Sequence, residues 1–119
     1  MNRTQIADHI LSRIKEEKSV NQEYYERSVS SIGHFWIDDL LPVEIPKTIY
    51  LAFPPQDSMK QRKDLREHKY VAAQMDRYNP ILEEAIYAFQ DHRIVNLIQE
   101  IVDLDSLYPD DQLYAGGIS

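Results

Sequence analysis

The chain has no cysteine, only three glycines and one tryptophan among its 119 residues, and no long apolar run. Without cysteine there is no disulfide, no thiolate metal site and no thiol nucleophile, so a cytoplasmic chain is the expectation. Gly33, Gly116 and Gly117 are too few to assemble a phosphate-binding loop or a dinucleotide fingerprint. No segment approaches the ~20 apolar residues of a membrane span, and the opening Met-Asn-Arg-Thr-Gln lacks the apolar centre of a signal peptide, so no membrane partner is expected. Basic residues are also in deficit. Thirteen Lys and Arg against 20 Asp and Glu leave a net charge of −7, which disfavours attraction to a phosphate backbone and makes nucleic acid an unexpected partner.

What is present suits one domain with a modest core. Ile6, Ile10 and Ile14 recur every four residues, with Asn2 placed to cap and Gln5 three positions on, which predicts a short amphipathic helix over 3–16. Residues 16–31 are polar around Tyr24 and Tyr25 and read as a linker or a continuing surface helix. Gly33 to Pro42 concentrates aromatic and branched residues, the profile of a buried strand. The division expected is therefore 1–32, a helix and polar linker, and 33–119, the domain proper. Ile45, Ile49, Ala52 and Phe53 predict a helix starting near Val43, because Pro46 is tolerated only in a first turn.

Pro54-Pro55 ends that helix, and the polar stretch 56–69 gathers Lys60, Arg62, Lys63, Arg66 and Lys69. A solvated face is one reading; Arg62 and Arg66 as anion contacts is the other, since a guanidinium offers a fork to carboxylates. Residues 70–78 fit strand or helix. Asn79-Pro80 supplies a cap and a first-turn proline, and Ile81, Leu82, Ala85, Ile86 and Phe89 share one face. A second helix carries Ile94, Leu97, Ile98, Ile101 and Val102. Turn chemistry at Pro109-Asp110-Asp111 then leads to Leu113, Tyr114 and Ile118, a predicted strand whose unpaired edge would invite self-association.

Local chemistry names no reaction. The residues two after His9, His34, His68 and His92 are Leu11, Trp36, Tyr70 and Ile94, so no His-x-Asp or His-x-Glu opens a facial iron triad. Asp103-Leu104-Asp105 lacks the later oxygen ligand and glycine of a calcium loop, and no Gly-x-Ser-x-Gly elbow exists.

The order of segments is more informative. Phe35-Trp36-Ile37-Asp38-Asp39-Leu40-Leu41-Pro42, a following helix, Leu65 to Gln74, the helices of 80–103 and Leu113-Tyr114-Ala115-Gly116-Gly117-Ile118-Ser119 together resemble the N-terminal part of an Fe(II)/2-oxoglutarate-dependent oxygenase of the bacterial prolyl-4-hydroxylase-like group. The resemblance covers 33–119. It implies an α+β fold, mainly helical here: a helical scaffold and the first strands of a double-stranded β-helix, truncated before the metal-binding core. It also implies Fe(II) and 2-oxoglutarate, with ascorbate, as cofactors of the complete enzyme, and hydroxylation of a small-molecule or protein substrate. The family's His-x-Asp, distal His and 2-oxoglutarate-binding basic residue would follow Ser119, so no catalytic or metal ligand is expected in these residues. Tyr114 becomes a candidate pocket wall. The alternative is a self-sufficient, mainly helical protein-interaction module.

Overall fold

The computed structural model describes residues 1–58, 60–63, 68–71, 78–104 and 106–109. Its packed body is helical: α1 (Arg3–Ser28), α2 (Glu44–Ala52), α3 (Pro80–Phe89) and α4 (His92–Ile101), with one 3-10 turn at Gln56–Ser58. The β-structure among the described residues is one antiparallel pair of four-residue strands, β1 (Lys60–Lys63) and β2 (His68–Val71), with Lys60 opposite Val71 and Lys63 opposite His68. The α+β expectation, with the first strands of a double-stranded β-helix, is therefore corrected to a helical architecture. The predicted strand over 33–42 does not form. Residues 32–37 run without regular structure, and a turn at Asp38-Asp39, where Asp39 takes a left-handed φ of 54°, stops the run before Leu40. The predicted terminal strand of 113–118 lies outside the described residues.

Helix α1 begins as its sequence dictates. The Asn2 side chain accepts from the Gln5 N–H at 2.9 Å, and the Gln5 Oε1 accepts from the Asn2 N–H at 3.0 Å, a reciprocal capping box. The polar residues beyond Glu16 continue the helix to Ser28 instead of forming a linker. At ~1.5 Å per residue it reaches about 39 Å. Only its first half carries an apolar stripe: Ile6, Ala7, Ile10, Leu11 and Ile14 are buried.

Against that stripe lie α3 and α4. Asn79 caps α3 by accepting from the Ile81 N–H at 3.1 Å, with Pro80 in the first turn, and Asp91 caps α4 by accepting from the Arg93 N–H at 2.9 Å. The α4 stripe buries Ile94, Val95, Leu97 and Ile101, while Ile98 is half-buried beside it. Helix α4 ends by a Schellman bond, Leu104 N to Gln99 O at 3.1 Å, with Asp103 in the left-handed position that glycine usually fills. Helix α2 joins through Ile45, which is buried, and Ile49; Pro46 falls in its first turn. Three ion pairs rise along α1 to its neighbours: Arg3–Glu84 at 2.7 Å, Asp8–Arg93 at 2.8 Å and Lys18–Glu100 at 2.6 Å. No helix among the described residues is long and apolar enough to cross a membrane.

Candidate functional site

From Arg13 onward α1 also carries a polar stripe, which outlasts the apolar one. Arg13, Glu17, Asn21, Tyr24 and Ser28 recur at helical spacing, and residues 33–38 lie alongside them. Asn21 is 5% exposed and donates its amide to Glu17 O at 3.0 Å. Arg13 grips the far end of the neighbouring segment: Nη2 donates to Asp38 O at 2.8 Å, and Nη1 holds Glu16 at 2.6 Å. The hydrogen bond to Glu16, opposed by burial and aided by Glu17 and Asp39, raises the Arg13 pKa and keeps it a cation. Its Nε is buried with no partner among the described residues.

Ser28 holds the near end. Its Oγ accepts the His34 N–H at 3.0 Å and lies 3.2 Å from His34 O. His34 Nδ1 stands 2.7 Å from Ile32 O, and a carbonyl can only accept, so the ring proton sits on Nδ1. Between these anchors the segment alternates. Phe35 and Ile37 pack against the core, whereas His34 and Trp36 face outward, Trp36 at 57% exposure. Tyr24 meets both outward rings edge-on, at 4.6 Å from Trp36 and 5.2 Å from His34. A cavity of about 140 Å³ remains between α1 and residues 36–38. The site brings together aromatic walls, a buried guanidinium N–H with no partner among the described residues, and a segment anchored at both ends.

No protein-family model matches the chain, and no curated protein or solved structure matches it either.

The residues singled out from sequence do not meet here. Tyr114 and Arg66 lie outside the described residues, and Arg62 is placed on β1 opposite Lys69. Among the described residues no three His, Cys, Asp or Glu side chains come together as a group that could hold a metal ion. Sequence reasoning missed Arg13, Asn21 and Tyr24 because it followed apolar periodicity; the same spacing read for polar residues would have found the stripe.

A second cavity, about 520 Å³, opens between Gln22 and Glu26 of α1, with Val29 just beyond it, and the end of α4 with the residues that follow, Glu100 to Leu104. It carries carboxylates from both helices and no group that would define a ligand.

Proposed function

We propose that this chain is a non-catalytic helical support belonging to an Fe(II)/2-oxoglutarate-dependent oxygenase, working in the cytoplasm beside a catalytic core that carries the iron ligands. The observation that carries the reading is a run of exposed apolar side chains where the resemblance starts. Ile32, Trp36, Val43, Tyr50 and Leu51 are all more than half exposed, and Tyr50 and Leu51 lie on the face of α2 away from buried Ile45. A soluble surface this rich in large apolar groups is the kind that further polypeptide covers. Helices α2, α3 and α4 support the helical part of that segment order, whose opening strand over 33–42 does not form, and none of the four histidines opens a His-x-Asp pair.

The experiment is succinate formation from 2-oxoglutarate with Fe(II) and ascorbate, run on these 119 residues and on a protein extended through the downstream reading frame. Activity in the extended protein alone is the expected result. Turnover by the 119 residues unaided, or silence in both, overturns the reading.

A self-sufficient helical interaction module is the second reading, and it is favoured by one observation: α1, α3 and α4, joined by Ile45 of α2, share one buried core. A reversible, cooperative melt of the 119 residues together with silence in both succinate assays would support it.

A further inference from the structure

Among the described residues no hydrogen bond reaches the N–H or C=O of Phe35, Trp36 or Ile37. The side chains of 34–37 alternate out and in, and the N–H and C=O of His34 both meet one Ser28 hydroxyl, the marks of an extended run, in which the N–H and C=O of one residue point to one edge and those of the next residue to the other. His34 turns both of its groups toward Ser28, and Asp38 turns its carbonyl toward Arg13; both partners sit on α1. Residues 34, 36 and 38 therefore aim their backbone at α1, and Phe35 and Ile37 aim theirs at the opposite edge. Because the side chains of Phe35 and Ile37 are packed against the core, that edge is fixed in direction.

We propose that this edge binds an extended polypeptide segment by strand addition, pairing through the backbone of Phe35 and Ile37. An unpaired N–H and C=O repeating every second residue, ~6.6 Å apart, is matched by another extended backbone. The anchors at Ser28 and Arg13 hold the segment open before the partner arrives, which lowers the ordering cost of binding. Charge selects within that class. Asp38 and Asp39 are exposed where the segment turns away, in a chain of net charge −7, so the partner strand carries Lys or Arg beside its alternating apolar residues. The inference concerns binding, not turnover, and does not depend on the oxygenase reading.

The probe is a short peptide of alternating valine and threonine with a lysine at each end, compared with the same peptide N-methylated throughout. Emission of Trp36, the chain's one tryptophan, follows the titration. Hydrogen exchange of the amides locates the binding. The unmethylated peptide is expected to bind at least about tenfold more tightly, the equivalent of one or two backbone hydrogen bonds. It should slow exchange at Phe35 and Ile37 and leave Trp36 unchanged. Asp39→Asn, which keeps the left-handed turn, should weaken binding about threefold. Equal binding of the two peptides, no binding, or protection at Trp36 instead of its neighbours overturns the proposal. So does protection at Phe35 and Ile37 that grows with protein concentration and needs no peptide, which would make a second copy the occupant. Unchanged affinity of Asp39→Asn would overturn the basic flank.

Discussion

Arg3 and Glu84 stand 81 residues apart in sequence and are joined by a fork: Arg3 Nη2 lies 2.7 Å and Nε 3.1 Å from Glu84 Oε1, and the Arg3 backbone N–H also donates to the carboxylate. The same guanidinium lies over the Tyr87 ring, 4.3 Å from its centroid. One side chain of α1 therefore engages two successive outward positions of α3.

The pair makes stability depend on acid. The hydrogen bond from Arg3 lowers the Glu84 pKa despite some burial, and the one from Arg93 does the same for Asp91. A depressed folded pKa means the stabilisation is complete above the ordinary carboxylate range, about pH 4 to 5, and is lost as pH falls through the folded values. Because Arg3 is nearly half exposed, Glu84→Gln should cost only ~0.5–1 kcal/mol at neutral pH. Urea melts at pH 7 and pH 3 check this; a cost that stays the same at pH 3 would contradict the linkage.

Core substitutions should separate the central helix from the flank. Ile10 is fully buried among α1, α3 and α4, so Ile10→Ala should lose ~2–5 kcal/mol. Ile98 is only half-buried, and Ile98→Ala should lose about 1 kcal/mol. Denaturant midpoints at unchanged slope give both numbers, and equal losses would mean that the burial difference does not govern the cost.

Removing the cap tests the start of α1. Asn2→Ala frees the Gln5 N–H and also leaves the Gln5 side chain without the reciprocal geometry, with an expected cost of about 1 kcal/mol. Far-UV circular dichroism should show fraying at the helix end, not global loss of helix.

Gly33 tests how closely the segment lies on α1. A Cβ there would stand 2.8 Å from Tyr25 Cε2. Gly33→Ala should therefore displace the Tyr25 ring and cost about 1–2 kcal/mol. Adding Tyr25→Ala should recover part of that loss, a non-additivity that a double-mutant cycle measures.

Local rules made much of the helical frame readable. Asn2 with Gln5, Asn79 with Pro80, and Pro46 within a first turn each mark a helix start that the structure has, because caps and proline act over three or four residues. Gly33 to Pro42 misled for the opposite reason. Its composition suits a strand, but a strand needs a neighbour, and these residues instead take their anchors from Ser28 and Arg13 side chains. The hairpin was hidden too: Lys-Gln-Arg-Lys and His-Lys-Tyr-Val show no clean alternation, so only the pairing register defines them. The candidate site was not read from the sequence because the polar spacing of α1 and the alternation of 34–38 each show a face, and neither says that the two faces meet. The resemblance to an oxygenase rested on segment order, and its β-helix expectation did not hold for the described residues.

The ion pairs along α1 also set a schedule for folding. Arg3, Asp8 and Lys18 find their partners 81, 85 and 82 residues later in the chain. During synthesis at roughly 5–20 residues per second, α1 leaves the ribosome about 4–16 s before α3 and α4 can cover Ile6, Ile10 and Ile14. For that interval its apolar stripe lacks the two helices that cover it, with Phe35, Ile37 and α2 among the core's other members made sooner. Contacts so distant in sequence must also close a long loop before any of them is rewarded, which slows folding relative to a bundle of sequence-adjacent helices. The polar second half of α1, which forms no apolar stripe, keeps the waiting helix from being hydrophobic along its whole length.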